Sequence, residues 1–519
     1  MKVTLRIFTL LVFASLVAAC ATLRPAEKST THAPGPVADT SSARYVQGQV
    51  DSHKGLSGFR LLTKSNNALL SRVALADEAK HSIDLQYFIF KDDATGRLLS
   101  QRLLAAADRG VHVRMLIDDV YLGNAEKLLA ALALHPNIDV RLFNPFRTRQ
   151  PSLLSKAAQF VLETSRLNRR MHNKSFIVDG WVAVIGGRNI ADEYFDASPK
   201  ESFRDLDLIA IGPVVEAASG SFDRYWNCDA AFPLLSLHPR HVPPNQLEVE
   251  RLALANHARA FAESDYAQVA LDDLPHGATA DQPGGWFWGN ALFIADEPEK
   301  ALVHNDDSTL RVEPRVRQLI DEAHKELLLI SPYFVPGDTG TRYLTGLAGR
   351  GVATKVLTNS LASTDEPAVH AGYSHYRRDL LRGGVELFEQ RPTDDAPKAH
   401  DQERPPGVTL HAKALVVDRT SVFVGSMNMD QRSKLLNTEM GVIVNSPELA
   451  EAVADFFRNA TMPEAAYSVR LDGSAGTGRL IWSSSINGET KTFANEPGAS
   501  IKRKLESTLV RLLPLEQML

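Results

Sequence analysis

Two short stretches of this 519-residue chain carry the same arrangement of reactive side chains, and any fold must account for both. The first is Met171–Asn189, MHNKSFIVDGWVAVIGGRN, with His172, Lys174 and Asp179 in the pattern H-x-K-x-x-x-x-D, then Gly186 and Asn189 in G-G-x-N. The second is His411–Asn428, HAKALVVDRTSVFVGSMN, with His411, Lys413 and Asp418, then Gly425 and Asn428 in G-S-x-N. One copy alone fits an ordinary strand surface. Two copies with the same Gly and Asn offsets point to a duplicated domain with one shared site.

The repeat reaches beyond the cassettes. Asn67–Lys80 has helical spacing, His81–Phe90 and Val111–Ile117 read as strands, and Gly96–Arg109 between them reads as a helix stopped by Gly110. Val140–Phe143 follows as a strand. Each cassette reads as a strand pair, Lys174–Val178 and Trp181–Ile185 in the first, turned at Asp179-Gly180. Asp205–Ile211 is a further strand. In the second half Glu326–Phe334 matches the earlier strand, Gly340 opens a helix, Arg350-Gly351 repeats Arg109-Gly110, and VELF at Val385–Phe388 repeats VRLF. This order predicts α/β layers with helices covering a mixed sheet.

Composition narrows the setting. Apolar residues make up 44% and charged residues 23%, which suits a globular chain, and a net charge of −5 argues against a general electrostatic grip on nucleic acid. Residues 1–20 read as a lipoprotein signal peptide: a basic start, an apolar run too short to span a bilayer, and Leu16-Val17-Ala18-Ala19-Cys20. Lipidation at Cys20, with no Asp at Ala21, predicts a membrane-anchored protein facing the periplasm, at the outer rather than the inner membrane. Residues 21–55, Pro-, Ser- and Thr-rich at their start, read as a flexible tether. The first domain is expected over 56–231 and the second over 301–470. The connection at 232–300 carries Pro233, Pro239, Pro243, Pro244, and Trp286 and Trp288, which either touch lipid or substrate or fill the seam between domains. The extension at 471–519 ends in IKRKLESTLVRLLPLEQML, where Ile501, Leu505, Leu509, Leu512 and Leu513 share a helix face. That helix either lies on an anionic membrane or docks on the protein's own core.

The cassettes suit phosphoryl chemistry. Residues i and i+2 of a strand point the same way, so each His and Lys share a face. If the halves pack about a twofold axis, two imidazoles and two ammonium groups converge. The lysines, with Asn189 and Asn428, would stabilise charge on non-bridging oxygens. One His attacks phosphorus; the other protonates the leaving alkoxide and later deprotonates the incoming alcohol. Carboxylates fixing the tautomers are Asp205, following His172, with Asp207 as second choice, and Glu439, following His411. Asp179 and Asp418 belong to the cassettes, yet their places at turns favour binding backbone or a cation. H-x-K is not a zinc spacing, so no metal and no cofactor are expected. Arg166, Arg169 and Arg170 are candidates for lipid phosphates, and His370 and Tyr373 for a headgroup pocket.

These cassettes resemble the two HKD motifs of the phospholipase D superfamily, over about residues 56–470. NRRMHNKS, GGRNIADEYF, DLDLIAIGPVV, TNSLASTDEPAVHAGY and LLNTEMG make the chain similar to C-type bacterial cardiolipin synthases. The resemblance implies two α-β-α sandwich repeats related by a pseudo-twofold, with the active site at their interface. It implies transfer of a phosphatidyl group to the glycerol hydroxyl of phosphatidylglycerol through a phosphohistidine, with His172 as nucleophile and His411 as acid/base. The substrates would be phosphatidylglycerol and a phosphatidyl donor. A hydrolase releasing phosphatidic acid is the first alternative and an endonuclease the second. A catalytically idle adaptor fits poorly with both cassettes intact.

Overall fold

The computed structural model describes residues 28–147, 163–237, 242–272, 285–302, 307–392, 407–473 and 478–511. The leader with Cys20, the first residues of the tether, Pro239, Leu512 and Leu513 lie outside the described residues.

The first half builds one mixed sheet. Its central strand Ser82–Tyr87 is buried at all six positions, as a strand covered on both faces must be. It pairs in parallel with His112–Asp118, which pairs in parallel with Ile138–Phe143, edged by Ala231–Pro233. On its other side come, all antiparallel, Ser175–Val178, Val182–Gly186, Asp207–Ile211 and Ser57–Leu62. The parallel connection runs through Ala94–Asp108, a helix capped by Asp93 accepting the Gly96 N–H at 3.0 Å and ended by Gly110 at φ 97°.

The second half repeats the order. Glu326–Ile330 pairs in parallel with Ala353–Asn359, and that with Glu386–Gln390. On the other side of Glu326–Ile330 come Ala414–Val417, Ser421–Gly425, Met440–Asn445 and Phe287–Ala295, each antiparallel to the strand before it. Gly351 at φ 90° stops Gly337–Gly349 as Gly110 stops its counterpart. Phe287–Ala295 also pairs antiparallel with Ser57–Leu62, with Ser57 opposite Gly289, so one strand belongs to both ladders. Helices Pro213–Asn227 and Pro447–Ala460 share one apolar core drawn from both sheets, and each half has a second core on its outer face. This is the expected pair of α-β-α layers.

Several expected boundaries move. The described part of the tether is docked and contains a helix, Ser41–Ser52. Arg114 donates to Thr31 O at 3.0 Å, Arg141 to Ser29 O at 2.6 Å, and Asp223 accepts the Ala33 N–H. A polar segment without apolar periodicity can still dock when buried cations are available for its carbonyls. The supposed connection is divided: Gln246–Ala262 packs on the Ala94–Asp108 helix, whereas Phe287–Ala295 is a strand of the second sheet. Trp288 stacks on His53 at 3.9 Å and Trp286 lies under Arg60, so these rings fill the seam beside the N-terminal helix. The boundary at 470 cuts a strand, because Ala466–Asp472, Arg479–Ile486 and Glu489–Phe493 extend the second sheet.

The cassette aspartates hold turns. Asp179, at φ 51°, accepts the N–H groups of Lys80, His81 and Ser82 at 2.9, 2.7 and 2.8 Å. Asp418, at φ 50°, accepts those of His324, Lys325 and Glu326 at 3.0, 2.8 and 2.8 Å. Each lies a strand's length, about 17 Å, from its cassette lysine. Counting them among catalytic groups is therefore corrected: they register one strand start against a neighbouring turn. Asp418→Ala is expected to cost about 1–3 kcal/mol through three orphaned donors, read as a lower urea midpoint at unchanged slope.

Candidate active site

His172 and Lys174 immediately precede the strand Ser175–Val178, and His411 and Lys413 precede Ala414–Val417. Antiparallel pairing places both pairs at the carboxyl ends of the parallel strands, where α/β sheets open a crevice. The halves are stitched together there by backbone. His172 N donates to Thr438 O at 2.9 Å, and Thr438 N to Arg170 O at 2.9 Å. His411 N donates to Arg204 O at 2.8 Å, where Gly407–Leu410 runs parallel to Glu201–Arg204.

Those stitches decide which carboxylate meets which imidazole. Glu439 follows Thr438, and its Oε2 lies 2.9 Å from His172 Nδ1. Asp205 follows Arg204, and its Oδ2 lies 2.6 Å from His411 Nδ1. The partnership expected within each half is thus crossed between halves, because both carboxylate-bearing segments extend over the seam. Asp207 bonds Arg72 at 2.9 Å and touches neither histidine. Glu439 also accepts from Ser426 Oγ at 2.5 Å and Ser433 Oγ at 2.7 Å. The motif glycines make room for this arrangement. A Cβ on Gly187 would lie 2.2 Å from Asp205 Oδ1, and one on Gly425 would lie 2.3 Å from Met440 O.

All four cassette side chains are buried. Burial, then the Lys174 and Lys413 charges, holds His172 well below the usual imidazole range. Burial lowers Lys174 strongly and Lys413 to about 8. Burial and Lys413 bring His411 down to about 4 against the pull of Asp205. The two carboxylates differ. Burial alone would raise Asp205, but His411, Lys413 and Arg188 outweigh it and hold it at about 2. Burial wins at Glu439 and pushes it up to about 7.

Aromatic rings fix the imidazoles from the sides. Phe88 stands edge-on to His172 at 4.9 Å and under Lys174 at 5.5 Å. Phe203 stacks on His411 at 5.3 Å, and Tyr194 meets it edge-on with its hydroxyl 3.5 Å from Nε2. Sequence reasoning missed all three, although Tyr194 lies within GGRNIADEYF and Phe88 at the end of a legible strand. With each Nδ1 held by a carboxylate, each Nε2 is the nitrogen left for chemistry, that of His411 lying 3.0 Å from Lys413 Nζ, and the arrangement can deliver one neutral nucleophile and one proton carrier to a phosphodiester.

A family model described as cardiolipin synthase, PLD-like domain, matches residues 73–226 and 316–461. The chain is 38% identical to cardiolipin synthase C of Escherichia coli over 471 residues, 90% of this chain and 97% of that protein. The chain belongs to the phospholipase D-like cardiolipin synthase family. Cardiolipin synthase A of Pseudomonas aeruginosa is 27% identical, over 81% of this chain and 74% of that one. The crystal structure of phosphatidylserine synthase from Haemophilus influenzae Rd KW20 shares the fold, with a TM-score of 0.57 at 14% identity, covering 92% of this chain and 99% of that one.

The remaining candidates of this synthase-family chain fall outside the cleft chemistry. Arg170 is a buried partner of Asp118 at 2.6 Å, and Arg166 bonds Asn144 at 2.5 Å and Glu163 at 2.8 Å. Arg169 donates to Lys300 O at 3.3 Å. These guanidinium groups are taken up by Asp118, Asn144, Glu163 and the Lys300 carbonyl, so the expectation of phosphate-holding guanidinium groups is corrected. Asn189 donates to Tyr194 at 2.9 Å and accepts from Ile89 N at 3.0 Å, so it positions the tyrosine. The buried Asn428 Oδ1, by contrast, has no hydrogen-bond partner among the described residues. His370 and Tyr373 lie in the outer layer rather than in a headgroup pocket: Arg377 Nη2 is 3.1 Å from His370 Nε2, and the Tyr373 hydroxyl donates to Glu389 at 3.2 Å. His370, Glu389 and Glu496 have the spacing of a metal set, but the Arg377 guanidinium already supplies the cation, at 3.1 Å from Glu389 and 2.9 Å from Glu496.

A pH test follows from Glu439. Its folded value, about 7, lies above its ordinary value of 4.5, so the folded state holds more protons than the unfolded one between the two, and this group's contribution to stability falls as pH rises through that window. Glu439→Gln removes that slope. The stability of the variant relative to the unaltered chain is expected to improve from pH 5 to 8, measured by denaturant unfolding at each pH.

Proposed function

We propose that this chain synthesises cardiolipin by a two-step phosphatidyl transfer at the crossed histidine site. The supporting observation is the unequal pair of carboxylates behind two otherwise equivalent imidazoles. His172, neutral among Lys174, Lys413 and Arg432, attacks the donor's phosphorus through Nε2. The phosphorus–oxygen bond to the departing alcohol breaks, and His411 delivers the proton that alcohol needs. Arrival of the phosphodiester anion raises His411 from about 4, and the firmly ionised Asp205 stabilises the imidazolium. In the second step His411 takes the proton of a phosphatidylglycerol hydroxyl. The resulting oxygen attacks phosphorus, the phosphorus–nitrogen bond breaks, and His172 is restored. Lys174 and Lys413 neutralise the non-bridging oxygens throughout. Water in place of the second alcohol gives phosphatidic acid, the hydrolase outcome.

Purified protein with defined phospholipids, followed by mass spectrometry, tests this reading. Cardiolipin is expected, lost at least about 10³-fold in His172→Ala. Phosphatidic acid alone at every acceptor concentration defeats the transferase. A phosphodiester with a nitrophenol leaving group needs no acid for its first step. With it, His411→Asn is expected to accumulate an adduct on His172, and an adduct mapped to any other residue reverses the assignment.

The setting belongs to the same proposal. Lipidation at Cys20 would hold the chain on the periplasmic side of the outer membrane. No helix among the described residues is long and apolar enough to cross a membrane. Lys28 lies beside Cys228 and Ala231, and Ala231 lies opposite Phe143 at the carboxyl end of its strand, the end that carries the site. Cys20→Ser is expected to move the protein from the membrane to the soluble fraction on cell fractionation.

A further inference from the structure

The C-terminal helix Ile501–Arg511 is turned inside out relative to an ordinary surface helix. Ile501 is 87% exposed, Leu505 60% and Leu509 55%. At about 100° per residue these three occupy one sector of the helix, with the exposed Lys502 and Lys504 on either side of it. Two polar residues face inward. Ser507 is buried, and Arg503 Nη1 donates to the carbonyls of Leu361, Ala362 and Thr364 at 3.0, 3.0 and 2.5 Å. The helix also packs along Pro367–Arg382. It is therefore docked on the protein through one face while presenting an apolar ridge to the outside.

That ridge sits beside the mouth of the site. The loop clamped by Arg503 continues directly into Asp365, which accepts the Tyr333 hydroxyl at 2.6 Å and whose charge acts on both His411 and Lys413. Across the mouth, Tyr121 is 53% exposed and stands edge-on to Phe88 at 5.3 Å, the ring that faces His172. Glu366 and Arg432 of the second half act electrostatically on Tyr121, so the two sides face one another.

We propose that the Ile501, Leu505 and Leu509 ridge inserts into an anionic phospholipid bilayer and holds the mouth of the active site against it. Three apolar side chains enter the acyl boundary while Lys502 and Lys504 remain at the level of the anionic headgroups. The lysine flanks select a negatively charged surface over a neutral one. The inference rests on the phospholipid reading of the site and adds the element that presents the substrate-bearing surface to it.

The test uses the full chain. A polarity-sensitive dye is attached at Leu505→Cys in a Cys20→Ser, Cys228→Ser background, and vesicles of phosphatidylglycerol with phosphatidylcholine are compared with phosphatidylcholine alone. The dye is expected to shift to the blue and to be quenched by brominated acyl chains only with the anionic vesicles. Separately, Leu505→Glu with Leu509→Glu is expected to slow turnover of vesicle-borne phosphatidylglycerol at least about tenfold, with turnover of a short-chain phosphodiester dissolved as monomers, and the melting temperature, unchanged. A dye that stays in water with both vesicles overturns the proposal. So does a parallel loss on both substrates, which would make the helix a support for the 361–364 loop, or a dye buried without lipid in proportion to protein concentration, which would make the ridge a self-association surface. If the unaltered chain turns over neither substrate, the phospholipid reading of the site fails, and the dye alone still decides whether the ridge enters a bilayer.

Discussion

A pair of crossed contacts organises this molecule. Each histidine gives its backbone N–H to the opposite half, and the next residue of that opposite strand supplies the carboxylate for its ring. Position and protonation of the imidazole are thus set by one short stretch of foreign backbone. A shift of the seam by one residue would turn Asp205 and Glu439 to the other side of their chains and strip both rings at once. The shared apolar core under helices Pro213–Asn227 and Pro447–Ala460 is what prevents such a slip.

Within this near-symmetry the chemistry needs a difference, and it comes from the second layer. Gly187 leaves space in which Asp205 meets His411 and feels Arg188, whereas the equivalent Ser426 joins Ser433 in donating to Glu439. One carboxylate is held ionised by cations, while burial pushes the other towards its acid form against the pull of Lys174 and of the Ser426 and Ser433 hydroxyls. Two copies of one cassette can therefore take different parts in a sequential reaction, although their own His and Lys residues are identical.

Much of the architecture could be read from the chain because strand and helix periods repeat in the same order around both cassettes, and glycines at 110 and 351 punctuate them alike. The crossing of Asp205 and Glu439 could not, since sequence spacing carries no information about which half a protruding segment crosses. Arg166 and Arg170 misled for a related reason: a guanidinium meant for phosphate and one meant for Asp118 or Asn144 look the same until burial is known. Tyr194, Phe88 and Phe203 were invisible as site residues because aromatic side chains in and beside strands are ordinarily core. The strap at 28–40 showed no apolar pattern because it is held by hydrogen bonds to buried cations rather than by apolar contact.

The strand Phe287–Ala295 has a mechanical meaning. Since its first three residues pair with Ser57, Gly58 and Phe59 and the rest with Met440–Asn445, the two halves cannot swing apart like a clamshell without tearing a ladder. The two imidazoles are consequently held at one spacing, like the jaws of a gauge that does not open.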